Sequence, residues 1–150
     1  MSTIVRSLCI EVPGLPPAKS EARSLLGPRH PHAGRVLALL FAAQDALVAQ
    51  GDGRGFGRAA LAMAVELRAP SPPPSDATNY LGGIGDVLGN KANRGAMAHL
   101  GVYAGVTVFD NDRQLHLVRY RYAWDTETVY RVRLRPLPYA PAPLRRDRAA

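Results

Sequence analysis

Apolar and polar positions divide the chain into a few elements. Residues 4–12 are short, rich in β-branched side chains and stopped by Pro13-Gly14-Leu15-Pro16-Pro17, which predicts a strand entering a proline-stiffened turn. Residues 18–31 show no sustained period and are expected to form a loop. Over residues 33–50, Val36, Leu37, Leu40, Phe41, Leu47 and Val48 recur at helical spacing and Gly51-Asp52-Gly53 ends the run, so an amphipathic helix packing on a sheet is predicted. Leu61, Met63, Val65 and Leu67 alternate with Ala60, Ala62, Ala64 and Glu66, the signature of a half-buried strand, and Pro70-Ser71-Pro72-Pro73-Pro74-Ser75 closes it. Residues 79–88 form a second predicted helix whose apolar side is Tyr80, Leu81, Ile84, Val87 and Leu88. Gly82, Gly83 and Gly85 interrupt it. Each costs about 1 kcal/mol relative to alanine in a helix interior, which points to close approach of another backbone or of a nucleic-acid strand. Residues 90–101 are expected to be a loop or short helix, and residues 102–109 a strand.

The C-terminal third predicts a β-hairpin. With Asp125-Thr126-Glu127 as its turn, Tyr122 faces Tyr130, Tyr120 faces Val132 and Val118 faces Leu134, giving one apolar face. The other face places Arg121 opposite Arg131 and Arg119 opposite Arg133, with Arg135 nearby. Like charges across a ladder repel, and a bound phosphate backbone would relieve them. A solvated face of arginine stems covering apolar surface is the simpler alternative. The proline-punctuated end, finishing in Arg145-Arg146-Asp147-Arg148, predicts a flexible basic tail over 137–150 after a single domain over 1–136. No internal repeat is present, so the expected class is α+β: a small mixed or antiparallel sheet with two main helices.

Composition narrows the function. The 150 residues carry 19 basic and 12 acidic side chains, a formal charge of +7, and a sequence pI near 10.2. Such a balance favours polyanions, nucleic acid first, although arginine-rich composition alone also produces it. Cys9 is the only cysteine, which excludes an internal disulfide framework and a multi-thiolate zinc site; it is expected to be a small buried hydrophobe. No run approaches the roughly 18 apolar residues of a membrane helix, and the first residues lack a signal-peptide layout, so a cytoplasmic protein with no membrane contact is expected.

The carboxylates that stand out are Asp76, Asp86, Asp110 and Asp112. Asn79, Gly83 and Asp86 fall on one face of the second helix after Asp76, and Asp110-Asn111-Asp112 precedes the last two strands. Convergence of these oxygens would make a hard-cation site suited to Mg²⁺, with Mn²⁺ as a substitute, and to phosphodiester hydrolysis. Equally, Asp76 could be a helix N-cap and Asp110-Asn111-Asp112 an ordinary turn. His30, His32, His99 and His116 show no metal-ligand spacing.

The order of these segments, with Asp76-Ala77-Thr78-Asn79 and Asn111-Asp112-Arg113-Gln114-Leu115 in their places, resembles the RusA family of Holliday junction resolvases over roughly residues 4–135. The resemblance implies a small α+β homodimer that uses aspartate-held Mg²⁺ to nick branched DNA. Asp76, Asp86 and Asp112 would then be the catalytic metal ligands, with Asn79 and Gln114 matching in support. The chain departs from the pattern at Thr78 and Asn111, where aspartates are usual, and at Gly82, where a lysine is usual. Asp110 or Thr78 could fill the ligand set, Lys91 or Arg94 could supply the cation, and Arg119, Arg121, Arg131 and Arg133 would hold phosphates. Three functions follow: a junction-resolving endonuclease, a degenerate relative that binds structured nucleic acid without cutting it, or an interaction protein whose charge reflects composition alone.

Overall fold

A computed structural model describes residues 7–19, 25–92 and 98–138. It has an α+β fold: β1 (Leu8–Pro13), α1 (Ala33–Gln50), β2 (Leu61–Ala69), α2 (Ala77–Leu88), β3 (Leu115–Trp124) and β4 (Val129–Pro136), with short 3₁₀ segments at Ala98–Gly105 and Asp112–Gln114. The strands form one mixed sheet in the order β1-β4-β2-β3. Strand β2 runs parallel to β3 and antiparallel to β4, and β1 is antiparallel to β4. The parallel pair requires a crossover, which α2 and the segment after it supply.

Period-two alternation splits the sheet into unlike faces. Leu8, Ile10 and Val12 of β1, Met63, Val65 and Leu67 of β2, and Tyr130, Val132 and Leu134 of β4 are buried beneath the helices. Helix α1 adds Val36, Leu39, Leu40, Ala43 and Leu47, and α2 adds Tyr80, Ile84, Val87 and Leu88. Helix α1 is long and apolar enough, by length and composition, to cross a membrane, but here that apolar stripe packs into the core. The Tyr80 and Tyr120 rings stack at 6.2 Å, tying α2 to β3. Cys9 is half-buried on the other face, and the Gln50 side chain exchanges two hydrogen bonds with its backbone, at 2.8 and 2.7 Å, partly closing the β1 edge.

Cys9 is thus not the buried hydrophobe its lone occurrence predicts, and two predicted elements fail as well. The last two strands are not a hairpin, because β2 lies between them. The connection after Trp124 therefore crosses the end of β2, where Asp125 N–H donates to the Ala69 carbonyl and Arg68 pairs with the Asp125 carboxylate at 3.5 Å. The levels inferred across the hairpin nevertheless persist with one residue interposed: Tyr122, Leu67 and Tyr130 share a row, as do Tyr120, Val65 and Val132. Residues 102–109 are not a strand either. A 3₁₀ segment kinked at Gly101 (φ 57°) occupies the first part, with the Tyr103 ring against Phe41 at 5.9 Å. Val106, Val108 and Phe109 are buried in an irregular segment whose Val108 N–H donates to Leu88 O. Their apolar alternation records burial under α2, not sheet pairing.

The interposed strand also changes the arginine face. Arg121, Glu66, Arg131 and Glu11 make one row across β3, β2, β4 and β1, with alternating charge. Arg131 meets Glu11 at 3.0 Å and Arg121 meets Glu66 at 3.9 Å, while Arg68 donates to Glu66 at 2.7 Å. Arg121 and Arg131 therefore do not face each other, and a carboxylate rather than a phosphate separates them. The Arg68 hydrogen bond, helped by the charges of Arg68, Arg121 and Arg131, holds the Glu66 carboxyl below its ordinary 4.5. A depressed carboxylate contributes stability above its unfolded-state pKa and loses it as pH falls through the lower folded value. Glu66→Gln is expected to cost about 0.5–1 kcal/mol at pH 7, screening by water included, and progressively less as the pH falls below 4.5; denaturation curves at pH 7 and across an acidic series check this.

Candidate functional site

The candidate residues lie in three places. Asp76 caps α2, its Oδ1 accepting from the Asn79 N–H at 2.8 Å. Thr78 is exposed in the first turn, and Asn79 uses its carbonyl to accept from Lys19 N–H at 3.0 Å. Asp86 lies ten residues after the cap, about 15 Å along the axis at 1.5 Å per residue. Between them the Pro-rich segment crosses the helix: a methyl on Gly83 would overlap the Pro17 carbonyl, and one on Gly82 would sit 3.3 Å from Lys19 Cδ. The glycines thus admit another stretch of this chain's backbone. The face that the sequence presents as a line of oxygen ligands is interrupted at its middle.

The crossing segment is fixed at several points. Gly14, at φ 92°, donates to Thr128 O at 2.9 Å, Ala18 N–H donates to His32 Nδ1 at 3.1 Å, and Arg35 donates to Pro16 O at 3.3 Å. Burial, followed by the charges of Arg35 and His30, holds His32 below the ordinary imidazole range, which keeps Nδ1 free to accept. This anchoring delivers Lys19 to Asp86, Nζ to Oδ2 at 3.5 Å. Lys19 therefore places a cation beside Gly82, a role the sequence reading assigned to Lys91 or Arg94.

Lys91 does something else. It is 4% exposed and its ammonium donates to the carbonyls of Val87, Gly89 and Val106 at 2.7, 2.9 and 2.6 Å, closing the C-terminus of α2. It is not presented to a phosphate. Arg94 and the tail from residue 139 onward lie outside the described residues.

Asp86, Asp110, Asn111 and Asp112 line one cleft of about 310 Å³ with Gly85, Gly89 and Asn90. Asp112 packs over Gly85, where a methyl would lie 3.6 Å from its Cβ, and its carboxylate has no hydrogen-bond or ion-pair partner among the described residues. Asp110 pairs with Arg58 at 3.5 Å, and Asn111 Oδ1 accepts from Arg113 N–H at 2.8 Å. Gln114 uses its whole side chain: its Oε1 accepts from Asp110 and Asn111 N–H, and its Nε2 donates to Gly57 O and Ala59 O, all within 2.9 Å. It clamps the acidic turn to the loop before β2. Among the described residues no three of His, Cys, Asp and Glu gather into a group able to hold a metal ion. The ligand set of Asp76, Asp86 and Asp112 does not fit one Mg²⁺, because Asp76 is a cap at the far end of the helix.

The open sheet face is the third place. Arg119 and Arg133 flank Ala64 in one row, and Arg135 is level with Ala62 and Leu117 in the next. These three arginines are exposed and have no ion-pair partner among the described residues, unlike Arg121 and Arg131. Arg135, Lys19 and Arg58 join these surfaces without any motif that marks them in the sequence. Only the strand register reveals that Arg135 lacks a carboxylate neighbour, and only the chain crossing brings Lys19 to α2. No protein-family model and no curated protein matches this chain.

Gly83→Ala is expected to destabilise the fold by about 1–3 kcal/mol through backbone overlap. Gly82→Ala, opposed only by the flexible Lys19 stem, should instead gain up to about 1 kcal/mol of helix propensity. Equilibrium unfolding separates the two signs. Lys91→Met removes a buried donor shared by three carbonyls and should cost about 2–3 kcal/mol while leaving nucleic-acid affinity per folded molecule unchanged.

Proposed function

We propose that this protein binds branched or otherwise structured DNA through the open face of its sheet and does not cleave it. The supporting observation is that Arg119, Arg133 and Arg135, which have no ion-pair partner among the described residues, share the open face, whereas Asp76 stands apart from the cleft of Asp86, Asp110 and Asp112. Guanidinium groups grip phosphate through paired N–H donors, and an excess of them supplies salt-dependent affinity. Removing Asp76 from a shared site lowers the ligand charge on which hard-cation binding depends. The RusA resemblance supplies branched DNA as the substrate class and homodimerisation as the way to address a two-fold junction.

A second reading is a Mg²⁺-dependent, or Mn²⁺-dependent, endonuclease that resolves Holliday and other junctions. It is favoured by the shared cleft of Asp86, Asp110 and Asp112 and by the Lys19 ammonium beside Asp86. Its ligands would have to come from that cleft without Asp76.

Incubating the protein with a labelled four-way junction and a matched linear duplex, in Mg²⁺, Mn²⁺ or EDTA, distinguishes these. The expected result is salt-sensitive junction binding that survives EDTA, with both substrates intact. Paired, metal-dependent nicks lost in Asp86→Asn and Asp112→Asn would overturn the non-cleaving reading and establish the nuclease. Absence of binding at low salt would overturn both and leave an interaction protein with a merely basic surface.

A further inference from the structure

The arginines of the open face are equivalent in the sequence and unequal in the sheet. One groove there, of about 460 Å³, is lined by Arg119, Arg133 and Arg135 over Ala62 and Ala64, and no carboxylate lines it. The adjoining groove, of about 330 Å³, shares Ala64, Arg119 and Arg133 but is closed at its far end by Glu66 between Arg121 and Arg131. Because β2 lies between β3 and β4, the residue it contributes to each row decides whether the flanking arginines are neutralised. Glutamate does so at 66; alanine does not at 64 or 62.

We propose that Arg119 and Arg133 form a clamp for a nucleic-acid phosphate over Ala64, extended by Arg135, and that Glu66 sets its boundary by occupying Arg121 and, with Glu11, Arg131. The inference rests on the DNA-binding reading above and specifies which part of the face performs it. Arg119 and Arg133 stand two strand spacings apart, about 9.6 Å between backbones, with only a methyl between them. Two guanidinium groups folding inward over that methyl converge on one anion, each offering a planar fork of donors. Like charges facing across an uncharged residue are destabilising until an anion enters, so occupation relieves a repulsion built into the empty sheet. Arg133 and Arg135 point to the same face two residues apart, roughly 6.8 Å along β4, which places a second cation for the next phosphate of a continuous strand. The residues facing outward from the four paired strands include no aromatic ring, so this face offers no stacking platform for bases. The ligand is thus a phosphodiester backbone held without regard to base sequence.

The test uses the full chain and two probes, a labelled duplex or four-way junction and inorganic pyrophosphate. Binding is measured by anisotropy across a salt series and by the arginine Nε–H resonances. Arg119→Gln, Arg133→Gln and Arg135→Gln should each weaken DNA binding about fivefold and reduce the salt slope by about one. Ala64→Glu, which copies the Glu66 arrangement one row along, should weaken binding as much while leaving unfolding stability the same or higher. Arg121→Gln and Arg131→Gln should stay within about twofold of the parent, and Glu66→Gln should bind about twofold tighter as it frees Arg121 while Arg131 keeps Glu11 and Arg68 keeps Asp125. Pyrophosphate should shift the Arg119 and Arg133 resonances before those of Arg121 and Arg131. Equal losses at all four of those arginines, or parent-like affinity in a folded Ala64→Glu, would overturn the clamp. Pyrophosphate shifts without DNA binding would uphold the clamp and overturn the DNA reading, and no preferential shift with either probe would overturn the clamp itself.

Discussion

Strand β2 is the constraint on which this molecule turns. Among the described residues it is the only strand with one parallel and one antiparallel neighbour, and it supplies Met63, Val65 and Leu67 to the core while placing Ala62, Ala64 and Glu66 on the open face. Its inward residues fix the register of β3 and β4, since a slip of one position would turn every buried side chain to water. Its outward residues fix the electrostatics, because each one separates two residues of the flanking strands. Arg68 extends the same control beyond the sheet by pairing with both Glu66 and Asp125, at the turn that carries the chain over the end of β2.

The second organising contact is the passage of Pro13–Lys19 across α2. It depends on glycine at 83, where any side chain would meet the Pro17 carbonyl, and on the capped and buried ends of the helix on either side. The crossing brings Lys19 to Asp86 and covers the helix between Asp86 and Asp76, which helix rise already holds apart. A single packing decision therefore places a cation beside position 82. Gln114 makes the complementary contribution, using every donor and acceptor of its side chain to hold Asp110 and Asn111 over the loop at Gly57 and Ala59.

Much of the fold was legible because the strongest patterns were local. Helix α1 spans the residues its period marks, 33–50, β2 and α2 lie where their apolar runs place them, and β1 covers the described part of the expected first strand from Leu8 onward, residues 4–6 lying outside the described residues. The hairpin was misread for a physical reason: alternation fixes which face a residue takes, and pairing levels survive intact when a third strand enters between two others. Nothing in the β3 and β4 segments distinguishes a neighbour from a next neighbour. Residues 102–109 were misread because burial beneath α2 imposes an apolar pattern without a ladder. For the site, Asp86, Asp110 and Asp112 line one cleft, whereas helix rise sets Asp76 about 15 Å along α2 from Asp86. The burial of Lys91 leaves no trace in the sequence, because its three carbonyl acceptors come from the end of α2 and from Val106, fifteen residues away.

The positions of the cleft and the arginine face bear on chemistry independently of ligand count. Helix α2 packs on the side of the sheet where Tyr80 stacks on Tyr120, while Arg119 and Arg121, either side of Tyr120 in sequence, point to the opposite side. Asp86 and Asp112 thus belong to the helical layer, and the unpaired arginines to the other surface of the sheet. A phosphate held over Ala64 is separated from the acidic cleft by the sheet itself. For one nucleic-acid strand to engage both, it must pass around the β3 edge, whose His116, Leu117, Val118 and Arg119 are all exposed. An anion docked on the arginine face would stand on the opposite side of the sheet from the cleft of Asp86, Asp110 and Asp112, so the layering of the fold keeps the two surfaces apart.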